Sequence, residues 1–178
     1  MKINPYESWI GIGIEGGGTV VIPGIEYVGG RLRNLGMWYD NADFQILKIR
    51  MGLGIGGGVG MAAFFLFNCL NLWQIHGTPI EAWSFDVNVA MGQKWSSIVK
   101  SLRFRKLIPV LRLLANKKRL LSPDQISLIR DFMSSIYATY EIYNEKGPKL
   151  LSIEIPAAGI GAELSAHFTL GGDIEILN

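Results

Sequence analysis

Large apolar residues alternate with small or polar ones over much of this chain. Ile10, Ile12 and Ile14 alternate with Gly11, Gly13 and Glu15, the period of a strand. Gly16-Gly17-Gly18 predicts a turn. Thr19 to Ile22 predicts a second strand stopped by Pro23-Gly24, and Ile25 to Val28 a short third one ended by Gly29-Gly30. A longer alternation follows, with Leu47, Ile49, Met51, Leu53 and Ile55 on one side and Lys48, Arg50, Gly52, Gly54 and Gly56 on the other. Gly57-Gly58 predicts its turn. The return from Val59 to Leu72 is apolar on both faces for much of its length, which predicts a central or doubly covered strand. Ser84 to Met91 alternates once more.

The period then changes. Residues 93–147 lack alternation and predict a helical hairpin. Trp95, Ile98, Val99 and Leu102 form an apolar stripe at helical spacing, and Pro109 predicts a break or kink. In the second helix Ser122 is the expected N-cap, Pro123 the first helical residue and Gln125 the partner in a capping box. Ile126, Ile129, Phe132, Met133, Ile136, Tyr137, Tyr140 and Tyr143 share one face, and Asn144 to Gly147 with Pro148 ends the helix. The C-terminal part returns to the strand period. Leu151, Ile153 and Ile155 alternate up to Pro156, and Ala158 to Gly171 alternates without a break. Gly172-Asp173 predicts a turn into Ile174 to Leu177.

Composition changes this picture in one respect. There are 22 glycines, against about 12 at ordinary usage. Gly11-Ile12-Gly13-Ile14, Gly52-Leu53-Gly54-Ile55 and Gly159-Ile160-Gly161-Ala162 repeat one pattern, a strand with a nearly bare face. Bare faces allow close approach of another backbone and the strong bending that curls a sheet. The expected fold is therefore α+β in one domain over residues 1–178: an antiparallel, glycine-rich curved sheet or barrel, with the helical hairpin inserted before the C-terminal strands. This small–large alternation resembles that of β-barrels and lipid-facing β proteins in general.

Apolar residues make up 49% and charged residues 18%, which excludes intrinsic disorder and leaves apolar surface for a partner, a lipid or a ligand. Met51 to Trp73 carries no charge over 23 positions, the length of a membrane-spanning helix. Six glycines crowd its first half, so a buried β-hairpin is the favoured reading. The N-terminus has an early acid and no apolar core of a secretory signal, which together with a single cysteine favours a cytoplasmic site, peripheral to a membrane.

No catalytic signature emerges, and no cofactor or metal is expected. Gly11/Gly13/Gly16 and Gly52/Gly54/Gly57 match a phosphate-loop spacing, but strand-like sequence follows each where a helix is needed. Glu163, Ser165 and His167 share one strand face at a spacing of roughly 7 Å, too far apart for a hydrogen-bonded relay. His76 reads as a loop residue, Asp40 and Asp43 as turn chemistry, and Cys69 as a small core residue.

Charge supplies the functional expectation. Net charge is only +2, yet no acid lies between Asp86 and Asp124. That window holds nine of the 17 basic residues: Lys94, Lys100, Arg103, Arg105, Lys106, Arg112, Lys117, Lys118 and Arg119. They are interleaved with apolar residues, Trp95 and Phe104 being the aromatic ones expected at an interface. Basic and apolar residues mixed on a helix suit an anionic membrane surface. They also suit an acidic protein partner, as in an inhibitor or immunity-type module, or a helix packed on the sheet with its long side chains reaching outward. Nucleic acid fits less well, because the rest of the chain is net acidic. The first expectation is a non-enzymatic, membrane-associated or lipid-binding protein. The alternatives are a soluble interaction module and a barrel that holds a small apolar ligand.

Overall fold

The computed structural model describes residues 2–20, 24–38, 40–53, 55–80, 82–85, 102–114, 120–155 and 166–177. Among these, eight strands form one sheet: β1 (Trp9–Val20), β2 (Gly24–Asn34), β3 (Asn41–Leu53), β4 (Ile55–Phe67), β5 (Thr78–Ile80), β6 (Ala82–Phe85), β7 (Lys149–Ile155) and β8 (Ala166–Leu177). Their order is β5-β8-β3-β2-β1-β4-β7-β6. The six long central strands are antiparallel, while β6 pairs in parallel with β7. The order describes nested pairs: β1–β2 lies between β3 and β4, which lie between β8 and β7. The outermost strands, β5 and β6, are separated by one residue in the chain. A sheet whose two ends are neighbours in sequence must curl round on itself, and it forms a curled half-barrel with two helices, an α+β fold.

The expected Met51–Trp73 hairpin is strand rather than helix, but β3 and β4 do not pair with each other. β3 pairs with β2 and β8, and β4 with β1 and β7. The reason is the β1–β2 pair, which stands between them in the sheet.

Glycine proves a poor marker of turns here. β1 runs straight through Gly16-Gly17-Gly18, β2 through Gly29-Gly30, β4 through Gly57-Gly58 and β8 through Gly172-Asp173. What these strands need is room. A methyl group at Gly13 would sit 2.3 Å from the carbonyl oxygen of Gly29, and one at Gly11 would sit 2.2 Å from that of Arg31. The bare face serves the neighbouring strand of the same sheet, whose tight curl brings backbone against backbone. At Gly172 the register with β3 shifts: Lys48 pairs with Gly172 and Arg50 with Thr169, so β8 carries one extra residue in a bulge. The expected strand alternation at 86–91 and 158–165 lies outside the described residues.

Two cores form, one on each face. The first joins Trp9, Leu32, Phe44, Ile46, Phe64 and Leu66 with Leu150 of β7 and Ile174 of β8. Strands from both flanks of the sheet share this cluster, so it occupies the concave, inner face. Phe44 and Phe64 meet edge to face at 5.0 Å. The segment after β4 closes this end with Cys69, Leu72 and Ile75, and Trp9 Nε1 donates to the Cys69 carbonyl at 2.7 Å.

The second core lies on the outer face, where α1 (Leu102–Leu114) and α2 (Pro123–Thr139) cover Ile10, Ala63, Phe65 and Leu151. α2 starts as its sequence predicts: Gln125 N–H donates to Ser122 Oγ, and Ser122 N–H donates to Gln125 Oε1. Ile129, Phe132, Met133 and Ile136 are its buried face. Tyr143 falls beyond α2, in a short 3-10 turn, and is 40% exposed rather than part of that face. α1 is one continuous helix with Pro109 inside, so the proline does not break it. An interior proline costs roughly 3 kcal/mol. Leu107, Val110 and Leu111 on either side of it are buried in the outer core, which holds the helix together.

Candidate functional site

α1 carries the described part of the basic segment. Its Leu107, Val110 and Leu111 are buried, while Lys106 and Arg112 are exposed. Arg103, Phe104 and Arg105 belong to the first turn of the same helix. Lys94, Trp95, Lys100, Lys117, Lys118 and Arg119 lie outside the described residues. Leu120, which follows the basic run directly, is 83% exposed. α2 follows without any basic residue in its last turn.

A second surface was not anticipated as exposed. Ile14 on β1, Tyr27 on β2 and Leu47 on β3 are 61%, 51% and 55% exposed. All three are on the outer face. Tyr27 pairs across strands with Gly16 on one side and Leu47 on the other. Its ring leans over Gly29, at 3.2 Å from where a Cβ would stand, so an aromatic side chain fills the gap that a glycine leaves. The sequence signal was present in the alternation of Leu47 with Lys48. Alternation shows that two faces differ, and only the curl shows which one is outside.

Nearer the helices the outer face changes character. Arg31 makes a two-pronged ion pair with Asp43 at 2.5 and 2.9 Å. The Tyr27 hydroxyl donates to Gln45 Oε1 at 2.9 Å, and Gln45 Nε2 donates to Glu175. This is an ordinary polar sheet surface.

The groups considered for chemistry are engaged elsewhere. His76 stands in a turn, where its Nδ1 accepts the Ile176 N–H at 3.0 Å. Cys69 is buried, and burial pushes its thiol up to about 12. Asp43, expected in a turn, lies within β3 and pairs with Arg31 across the strands. His167 pairs with Gly52 across β8 and β3; Glu163 and Ser165 lie outside the described residues. Among the described residues no three His, Cys, Asp or Glu side chains gather as a metal site. An open cleft of about 670 Å³ lies between the Arg31–Asp43 pair and the Leu70–Gln74 segment. No nucleophile with an adjacent base lines it. No described helix is long and apolar enough to cross a membrane. The chain matches no protein-family model, no curated protein and no solved structure.

Proposed function

We propose that this is a non-enzymatic, membrane-associated protein that binds anionic lipid through its basic helical segment. The observation that carries this reading is the division of α1: Leu107, Val110 and Leu111 face the sheet, and Lys106 and Arg112 face solvent. The nearest acids in sequence are Asp86 and Asp124. Leu120, which follows Lys117, Lys118 and Arg119 in sequence, adds an exposed apolar group. Cationic groups at an anionic leaflet contribute about 1 kcal/mol each, and an adjacent apolar residue adds burial in the interface.

Flotation with phosphatidylglycerol–phosphatidylcholine vesicles tests it. The chain is expected to float at about 0.15 M salt, and to stay behind with phosphatidylcholine alone. Reversing two charges in K106E/R112E is expected to weaken partitioning by about tenfold or more. Equal binding to both vesicle types, or none to either, would discard the reading.

A further inference from the structure

We infer that the end of the sheet remote from the helices is built to enter the hydrocarbon of a bilayer. This inference rests on the proposed membrane association and names the part of the molecule that goes in.

The argument is a reversal of polarity along the strands. In β3 the inner positions begin with Phe44 and Ile46, both buried, and continue with Lys48 and Arg50. Its outer positions begin with the polar Asp43 and Gln45 and continue with Leu47, Ile49, Met51 and Leu53. β2 behaves alike. Inner Leu32 and Val28 give way to Glu26, while outer Arg31 gives way to Tyr27 and Ile25. Glu26 is the register partner of Lys48, at an inner position of each strand. On β1 the inner series runs from Trp9 through Gly11 and Gly13 to Glu15, and the outer one is Ile10, Ile12 and Ile14. In β7 inner Leu150 is followed by Ser152 and Glu154, against outer Leu151, Ile153 and Ile155.

β8 supplies the most specific sign. Ile174 and Ile176 are inner and buried. Without a bulge the alternation would place Phe168 inner as well. The bulge opposite Lys48 and Arg50 turns the strand over, so that Phe168 pairs with outer Met51 and His167 with inner Gly52. One extra residue thus keeps the apolar series outside.

At the helix end the sheet is apolar within and polar or helix-covered without, as in a protein in water. At the other end it is apolar without and charged or glycine-bearing within, the arrangement of a barrel in lipid. Both faces change on β2, β3 and β8, while on β1 and β7 the inner positions change and the outer ones start apolar. A protein partner covers one side of such a sheet, whereas only an apolar solvent meets it all round. From Leu47 to Leu53 the outer series rises about 20 Å along the strand. The hydrocarbon core is about 30 Å thick, so the sheet enters without crossing. Ile12 packs against the helical core and Ile14, the next outer position, is exposed. The apolar band therefore begins where the helix layer ends, which brings basic α1 to the headgroups.

The test separates insertion from electrostatic docking. The full chain is bound to phosphatidylglycerol–phosphatidylcholine vesicles, then floated through about 1 M salt, where the screening length is about 3 Å. Native protein is expected to stay with the vesicles. I14D/L47D, altered only at exposed positions and checked by circular dichroism and thermal melting to be folded, is expected to bind at low salt. Its salt-resistant fraction should fall about tenfold or more. K106E/R112E should show less capture, with the captured protein still salt-resistant. Native protein that binds at low salt and is wholly released at high salt would overturn the insertion while leaving basic-segment docking intact. Salt-resistant binding by I14D/L47D would overturn the choice of surface. A lipid-free dimer that I14D/L47D dissociates, with no vesicle binding by the native chain, would make this face a self-interface and overturn both readings.

Discussion

The two ends of the same strands obey opposite rules. At the end near the helices, Phe44, Phe64 and Leu66 fill the concavity and Arg31, Asp43 and Gln45 face out. A few residues along, the outer side chains are Ile14, Tyr27 and Leu47, more than half exposed. The inner positions there are glycines and charges. Backbone pairing continues through the boundary, because strand hydrogen bonds do not depend on which face is wet. A single pleated sheet can therefore carry opposite polarities along its length, and the side chains alone mark the change.

That contrast predicts unequal costs. Phe64→Ala should be the most damaging change, at about 3–5 kcal/mol, since it empties a fully buried site and strips Phe44 of its edge-to-face partner. Urea unfolding measures it, and a loss below about 1 kcal/mol would mean that the helix-side interior is loosely filled.

Alkali should act on the same end. Burial raises the Cys69 thiol from 9.0 to about 12, and the Tyr140 phenol from 10.0 to about 12. Both groups stay protonated in the folded chain at a pH where the unfolded chain ionises. The stability they contribute is thus intact below pH 9 and is lost as the pH climbs toward 12. Melting temperature should be flat with respect to these two groups up to pH 9 and fall above it, and Cys69→Ala should shallow that fall. A thiol that reacts rapidly with a disulfide reagent in the folded protein at neutral pH would contradict a dry Cys69 site.

The smallest effect belongs to the other end. Leu47→Ser removes a side chain already 55% exposed, so stability in water should change by about 0.5 kcal/mol or less. A loss as large as that of Phe64→Ala would erase the distinction between the two ends.

Much of the local structure was legible beforehand. The capping box at Ser122 and Gln125 is a short-range device, and it forms as its spacing requires. The alternation from Leu47 marked the second half of β3, which begins six residues earlier at Asn41, and the face shared by Ile129, Phe132, Met133 and Ile136 is the buried face of α2. Glycine misled, since Gly16 to Gly18, Gly29-Gly30, Gly57-Gly58 and Gly172 all lie within strands. The same missing side chain permits a turn and a close backbone approach, and sequence alone does not separate the two. Pro109 does not break α1, because burial of the residues around it outweighs its local cost.

The sequence by itself determined the periods, the cap and the concentration of basic charge between Asp86 and Asp124, because each depends on neighbours a few residues apart. Tertiary structure decided the rest. Whether β3 pairs with β4 or with β2 depends on the β1–β2 pair that separates them. Which face of an alternating strand is inside depends on the direction of curl, a property of the whole sheet. The bulge in β8 appears only when its register against β3 is known. The exposed face of Ile14, Tyr27 and Leu47 was written in the alternation, but it became a surface only when the sheet closed its other face around Phe44 and Phe64.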